Sequence, residues 1–546
     1  MGLVATLGVA CAAGVAPRRE AADGRGIATP ATAEARPAPP VANQPSLVVL
    51  ITIDQFRADY LVRFGDQLSG GLARLMRTGA RFTNAHHDHA ITETAPGHAT
   101  LLSGRFPRST GIMLNRVGVE DESAPLVANG YGPGASPKRF VGSTLADWMR
   151  RANSKTRILS VSMKDRGAIL PIGRLKTEVY WYSLDGRFLT SSYYRKDLPP
   201  WVRAFNDRQS VAQYAGKSWS LLLPDSAYTE PDSVAIEMGG RQNTFPHVLS
   251  SDVIDAGSAI RLTPFIDDMT LAFALHGVQS LALGAGPQTD LLAVSLSATD
   301  VIGHNFGPDS REMHDQVLQV DRAIGVFLDS LYTLRDSSQI TVVLTSDHGV
   351  GTIPEIAPDS VQPRPVRVSL YDMLPDTRAR LKAAKLDTFA IELDVQILLA
   401  DRAAFRKPSD LRAMVDTFAA QARAVPGVAR VDRFSALLGD TLTDAIARQW
   451  AHQFPASAPI ELVVTLTPGS TWGGNIASHG SPQPYDTHVP LIFSGFGIRP
   501  GVHAEFVRTV DLAPTLAALL GITPSESLDG LPLRQALLPP AARRAP

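Results

Sequence analysis

The chain has 546 residues, of which 44% are hydrophobic and 19% are charged, as is ordinary for a soluble globular protein. Its 52 lysines and arginines nearly balance its 53 aspartates and glutamates, which gives a formal net charge of -1. Since nucleic-acid binding normally requires a basic excess, this balance argues against a nucleic-acid partner. The length allows several domains, or one large domain with insertions. We expect the second arrangement, and a monomer.

The N-terminal residues 1–16 predict an export signal. The apolar run 3–15 is too short to span a bilayer but fits the hydrophobic part of a signal peptide, although no lysine or arginine precedes it. Its LGVAC sequence, at 7–11, resembles a bacterial lipobox, so a lipid anchor at Cys11 is an alternative to simple cleavage. Residues 17–45, rich in Ala, Pro, Arg and Glu, predict a disordered linker. We therefore expect a periplasmic or secreted protein; a disordered cytoplasmic tail is the other interpretation.

A series of apolar, β-branched runs predicts the strands of the fold. The first run, LVVLITI, spans 47–53, and similar runs lie further along the chain, at 157–163, 291–296, 340–345 and 489–493. Continuous apolar runs indicate strands that are buried on both faces, as in a parallel sheet covered by helices. The runs therefore predict the centre of a large sheet.

Helical patterns lie between several of these strands, for example at 315–331. The segment 511–521 predicts a short packing helix, with Asp511 as its N-cap, Pro514 in its first turn and Gly521 at the C′ position. Alternating strands and helices predict an α/β fold, in which helices flank a doubly wound, mostly parallel sheet.

Two stretches interrupt the alternation of strands and helices. Residues from about 170 to 250 are rich in Tyr, Trp, Ser and Pro, whereas residues from about 353 to 470 contain their own strand–helix–strand pattern, with a helix near 409–424. We interpret both as insertions into one catalytic domain, 46–540, and expect them to form a roof over its functional site.

Polar side chains follow the predicted strands, where open α/β sheets collect their functional groups. Three aspartates and two histidines share this position, and a third histidine lies just before the last run: Asp54, Asp300, His304, Asp347, His348 and His488. Any one of them could be an ordinary cap or turn residue. Together, carboxylates mixed with imidazoles, in numbers sufficient for two ions, predict a dinuclear zinc site.

The segment TETAPGHAT, at 92–100, predicts a turn that leads into a helix. The hydroxyl of Thr94 would then lie at the helix N-terminus, where backbone N–H groups and the helix dipole favour an anion. A simple threonine cap without further function explains the local sequence equally well.

Several motifs, in this order, resemble those of the alkaline phosphatase superfamily. They are TAPGHAT at 94–100, KDRGA at 164–168, DVIGH at 300–304, SDHG at 346–349 and DTHVP at 486–490. The strongest likeness is to the phosphate-irrepressible alkaline phosphatases, which are related to nucleotide pyrophosphatases/phosphodiesterases. The resemblance extends over about 45–533, and the ordered set is far more specific than any single motif.

This resemblance implies roles for individual residues. It implies one zinc ion with three ligands, Asp300, His304 and His488. It implies a second zinc ion with three protein ligands and the nucleophile, namely Asp54, Asp347, His348 and Thr94. It also implies three residues that hold the phosphate oxygens, Asn115, Lys164 and Arg166. We interpret His98 and His479 as supporting residues outside the ligand set.

The sequence thus predicts a zinc-dependent phosphate monoester hydrolase that forms a phosphothreonine at Thr94. A phosphodiesterase is the main alternative, because its metal ligands would be the same. Lys164 and Arg166 argue against it, since they place two positive charges where a diester carries its second ester group. A sulfatase would have a Cys or Ser nucleophile in a C/S-x-P-x-R setting, and an inactive binding protein would have an incomplete ligand set.

Overall fold

The structure is a computed structural model, and it describes residues 44–208, 211–439 and 443–540. The predicted signal peptide at 1–16, Cys11 and nearly all of the predicted linker lie outside these residues. Within them, no helix combines the length and the apolar character that crossing a membrane would require.

In chain order, the strands are β1 (Leu47–Ile53), β2 (Ala80–His86), β3 (Ile158–Ser162), β4 (Glu178–Ser183), β5 (Arg187–Leu189), β6 (Ser218–Trp219), β7 (His247–Val248), β8 (Asp290–Leu296), β9 (Ile340–Thr345), β10 (Arg367–Val368), β11 (Ile391–Asp394), β12 (Ile397–Ala400), β13 (Val428–Arg433), β14 (Ile460–Leu466), β15 (Thr471–Trp472), β16 (His488–Gly495), β17 (Gly501–His503) and β18 (Val507–Arg508). The helices follow in the same way: α1 (Tyr60–Arg63), α2 (Gly71–Thr78), α3 (Thr94–Leu101), α4 (Pro107–Thr110), α5 (Leu145–Ala152), α6 (Asp165–Ile169), α7 (Pro200–Arg208), α8 (Val253–Ala259), α9 (Phe265–Ser280), α10 (Ala298–Phe306), α11 (Arg311–Leu334), α12 (Leu374–Ala383), α13 (Pro408–Arg423), α14 (Phe434–Leu437), α15 (Ala445–Gln453), α16 (Pro484–Thr487) and α17 (Leu512–Leu520).

One large sheet organises the molecule, in the order β17-β2-β16-β9-β1-β8-β3-β4-β5, with β18 paired to β2. The central strands β9, β1, β8, β3 and β4 are parallel to one another, while β16 and β5 run antiparallel to their neighbours. Every residue of β1, β8 and β9 is buried, because helices cover both faces of the sheet. The predicted α/β fold with a mostly parallel sheet is confirmed.

Both ends of helix α17 lie where the sequence predicts. Gly521 ends it in the left-handed region, with a φ of 63°. Asp511 holds the N-cap position, but its side chain makes no capping hydrogen bond. The backbone of Asp511 is already helical, and its carboxylate accepts hydrogen bonds from the backbone N–H groups of Arg508 and Leu531 instead. The aspartate therefore ties the helix to neighbouring loops.

The stretch between 353 and 470 contains a separate antiparallel sheet, in the order β11-β12-β14-β13, with α12 and α13 packed on a hydrophobic core of their own. The stretch from 170 to 250 is more irregular and contains the short pair β6–β7. Asp315 of α11 anchors it: the carboxylate accepts hydrogen bonds of 2.6 Å from Trp219 Nε1, from Tyr228 Oη and from the Leu222 N–H.

Candidate active site

The predicted functional side chains meet at the carboxyl edge of the central parallel strands. Asp54 follows β1, Lys164 follows β3, and Asp347 follows β9, while helix α10 after β8 carries Asp300 and His304. Because parallel strands end at the same edge of a sheet, residues far apart in sequence converge there.

One group of potential metal ligands consists of Asp300, His304 and His479. The Nε2 atoms of His304 and His479 lie 3.5 and 3.7 Å from Asp300 Oδ1. Each imidazole donates from Nδ1 to a backbone carbonyl, His304 to Ala477 at 2.8 Å and His479 to Thr92 at 2.7 Å. A carbonyl can only accept, so the Nε2 lone pairs face the Asp300 carboxylate, as they do in metal-binding histidines.

The structure does not place His488, which we predicted for this group, beside Asp300. His488 begins β16 in register with His86 of β2, and the two rings stack at a centroid distance of 4.7 Å. The His488 Nε2 lies 2.9 Å from the Thr83 carbonyl oxygen. The strand therefore directs this ring toward β2, whereas His479, which we predicted to be only a supporting residue, lies in the loop before α16 and reaches Asp300.

The second group of potential ligands surrounds His348. Its Nε2 atom lies 3.6 Å from Asp54 Oδ1, 3.6 Å from Asp347 Oδ2 and 3.4 Å from the Thr94 hydroxyl. Its Nδ1 atom donates to the Gly349 carbonyl, 2.9 Å away, which again leaves the Nε2 lone pair inside the cluster. The structure therefore brings together all four residues predicted for this group.

The charges of the site fit bound cations. Burial lowers the pKa of His348 and of His479, and neutral imidazoles are the form that binds a metal. Burial also raises the pKa of Asp54, and repulsion from Asp300 and Asp347 raises it further. The Asp54 carboxylate is fully buried, and the Lys164 ammonium lies 2.7 Å from its Oδ2 atom. Buried carboxylates of this kind require cationic partners.

Thr94 is the first residue of α3, and its side chain is buried. It does not act as a simple cap, because Glu93 holds the cap position and no side-chain capping bond forms. The hydroxyl instead lies 3.4 Å from both His348 Nε2 and Lys164 Nζ. The following Gly97 permits this placement, since a Cβ there would lie 2.2 Å from the Asp347 carbonyl oxygen.

Three further side chains surround Thr94 as potential anion ligands. The Lys164 ammonium lies 2.6 Å from Asp300 Oδ2. The Asn115 Oδ1 atom accepts from the Ala95 N–H at 2.8 Å, so the amide NH₂ is the group of this side chain that could donate to an anion. The Arg166 guanidinium pairs loosely with Asp165 at 3.5 Å and keeps a buried Nε without a hydrogen-bond partner.

Two of the residues that hold the predicted ligands in place, Gln55 and Glu93, were not predicted from the sequence, whereas His98 was predicted as a supporting residue. Gln55 has a φ of 66°, donates through its backbone to Asp347 at 3.1 Å and through its side chain to Asp300 at 3.0 Å. His98 Nδ1 lies 3.0 Å from Asp347 Oδ2. Glu93 accepts from the backbone N–H of Asn115 at 2.6 Å. Of these, only His98 lies within a recognised motif.

Comparison with known proteins agrees with this arrangement. The family described as type I phosphodiesterase / nucleotide pyrophosphatase matches residues 48–402. The chain therefore belongs to that family.

Several relatives that match almost the whole chain are named alkaline phosphatases. The alkaline phosphatase PafA of Elizabethkingia meningoseptica is 29% identical over 520 residues, which cover 90% of this chain and 95% of that protein. The alkaline phosphatase PhoV of Synechococcus elongatus is 31% identical, with coverage of 90% and 92%. A crystal structure of PafA superposes with a TM-score of 0.82 at 28% identity, over 91% of this chain and 99% of that one. The predicted enzyme class and superfamily are confirmed.

Proposed function

We propose that the protein is a zinc-dependent phosphate monoester hydrolase that acts through a phosphothreonine at Thr94. The observation that carries this proposal is the position of the Thr94 hydroxyl. It lies 3.4 Å from an imidazole nitrogen with a free lone pair and 3.4 Å from an ammonium, at the N-terminus of α3. A nucleophile, a set of metal ligands and a phosphate-binding helix end thus meet at one point.

Two zinc ions would be held by the two groups of ligands described above. The first set is Asp300, His304 and His479; the second is Asp54, Asp347, His348 and Thr94. Zinc at such sites supplies Lewis acidity, which lowers the pKa of a bound hydroxyl and stabilises charge on a departing oxygen.

The chain's own residues orient the reaction. Thr94 attacks the phosphorus atom, and the ester oxygen leaves on the opposite side, because phosphoryl transfer proceeds in line. Gln55 and His98 hold the carboxylates of Asp300 and Asp347, so the ligand geometry does not depend on substrate. Water then hydrolyses the phosphothreonine and regenerates the Thr94 hydroxyl.

Lys164, Arg166 and Asn115 would bind the non-bridging oxygens of the transferred group. All three offer donors near Thr94, and two of them carry a full positive charge. A phosphate monoester is a dianion near neutral pH, whereas a diester is a monoanion with one of these oxygens esterified. Charge-assisted donors therefore favour the monoester.

A phosphodiesterase remains the second candidate, because the family is described by that activity. The double variant Lys164→Ala/Arg166→Ala separates the two. We expect it to lower monoester hydrolysis by about 10³-fold or more, since each charged contact stabilises the transition state by roughly 2–4 kcal/mol. Diester hydrolysis should fall much less, and the zinc content of the protein should not change. The exposed pair Arg174→Ala/Lys176→Ala is a matched control.

Equal losses for monoester and diester would contradict this assignment. Lys164 and Arg166 would then support only the fold of the site, and the phosphodiesterase would become the better interpretation. A wild-type preference for aryl sulfates over aryl phosphates would exclude both.

We further propose that the protein is exported, as the apolar run at 3–15 predicts. Cell fractionation should find the enzyme outside the cytoplasm. Mass spectrometry of its mature N-terminus then distinguishes simple cleavage from lipid attachment at Cys11. A full-length N-terminus on cytoplasmic protein would refute export.

A further inference from the structure

A cavity of about 370 Å³ opens beside the candidate active site. Asn115 and His479 form part of its wall, so the cavity is continuous with the site on the side of the first ligand group. The remaining wall is mostly apolar and includes Leu114, Leu370, Tyr371, Val395 and Trp472. We refer to this cavity as the roof pocket, because its outer wall comes from the inserted stretch 353–470.

The roof pocket is built by specific contacts between the insertion and the core. Trp472 Nε1 donates to Gln396 Oε1 at 3.0 Å, and Gln396 Nε2 donates to the carbonyl of Gly480 at 2.9 Å. Gly480 directly follows His479. These bonds fix Trp472 relative to His479, a proposed metal ligand.

The charged side chains of the roof pocket leave no cation unpaired. Its Asp394 is paired with Arg116, whose Nε lies 2.7 Å from Asp394 Oδ2. Its Glu93 accepts the backbone N–H of Asn115. An anionic group would therefore find no unpaired cation on this wall, whereas an apolar group would be sheltered from water.

The position of the pocket relative to Thr94 identifies what enters it. Thr94 lies against His348, in the second ligand group, and neither residue contributes to the pocket wall. In an in-line displacement the leaving oxygen lies opposite the nucleophile. Within the proposed function the pocket, which opens at His479 of the ligand group without Thr94, would receive the leaving group.

We propose that the roof pocket binds the leaving group of the substrate and selects a flat aromatic alcohol without negative charge. This inference rests on the phosphate monoesterase function proposed above. The exposed face of Tyr371 and the indole of Trp472 supply flat surfaces on which such a ring stacks. The volume accommodates one or two fused rings.

Two esters test the proposal: 2-naphthylmethyl phosphate, whose ring would enter the pocket, and methyl phosphate, which has nothing to place there. For each ester, kcat/KM of a variant is divided by that of the wild type, so that intrinsic reactivity cancels. Tyr371→Ala should lower the ratio for the naphthylmethyl ester on the order of tenfold more than for the methyl ester. Tyr131→Ala, which alters a tyrosine 71% exposed and outside the pocket, is the control.

A second variant fills the pocket instead of opening it. Ser369 is an exposed residue of the pocket wall, so Ser369→Trp is compatible with folding. This variant should also lower kcat/KM for the naphthylmethyl ester more than for the methyl ester. Ratios that change equally for both esters in both variants would overturn the proposal.

Binding provides a readout that does not need turnover. Calorimetry with 2-naphthylmethylphosphonate and methylphosphonate should show tighter binding of the aromatic compound, and Ser369→Trp should remove the difference. If the wild type hydrolyses neither ester, the monoesterase function is wrong. If the wild type binds the two phosphonates with equal affinity, the proposal for the roof pocket is refuted, whatever the turnover of the esters.

Discussion

The replacement of His479 or of His488 by alanine tests the ligand set directly. His479→Ala leaves Asp300 with a single imidazole partner, His304, in the first group. Loss of a residue that merely supports a ligand reduces metal affinity by about 10–100-fold, so loss of a ligand should cost at least about 100-fold, or about 2.7 kcal/mol. His488→Ala removes a ring stacked on His86, remote from Asp300, and should change zinc affinity by no more than about twofold.

Both variants would be dialysed against zinc buffers that set the free ion concentration, and bound zinc would be measured by mass spectrometry. Circular dichroism of each variant shows that the fold is retained. Equal losses in the two variants, or a larger loss in His488→Ala, would refute the placement of His479. A full zinc complement in His479→Ala would refute it as well.

Three further predictions concern the nucleophile, the first insertion and a buried acid. Thr94→Ala should reduce kcat at least about 10³-fold while Thr94→Ser retains part of the activity and Thr92→Ala has little effect, measured with an aryl phosphate. Asp315→Ala leaves three donors of the insertion without their acceptor and should lower unfolding free energy by about 3 kcal/mol or more in urea; an unchanged midpoint would contradict this. Burial raises the pKa of Glu237 from 4.5 to about 8, so between these values the folded state binds more protons and stability falls as pH rises. Glu237→Gln should therefore stabilise the protein more at about pH 9 than at about pH 5, and parallel pH–stability curves would exclude this role.

The fold could be predicted where burial on both faces of the sheet leaves a continuous apolar signal. Strands β1 and β9 begin and end where the runs at 47–53 and 340–345 predict. The short strands of the inserted sheet have mixed burial, as in β11, where buried and exposed residues alternate. Their pairing depends on tertiary contacts that a single segment does not encode.

The candidate site could be predicted where its residues directly follow buried strands, as Asp54 and Asp347 do. His479 could not, because it lies in a loop whose path depends on the packing of α16 and of the inserted stretch. His488 precedes an apolar strand and was the more obvious choice, but strand register turns its ring toward His86. Gln55 carries no motif, and its positive φ becomes visible only in the folded chain.

Zinc titration of metal-free protein tests the central claim most directly, because it measures metal content and catalysis together. Protein stripped by a chelator would receive increasing zinc, with bound metal and hydrolysis of a phosphate monoester followed in the same samples. If each chain binds two zinc ions and uses Thr94 as its nucleophile, the metal-free protein should show no turnover. Activity should then rise with added zinc and level off at about two zinc ions per chain. Full activity in the stripped protein, or a plateau at one equivalent, would contradict the account.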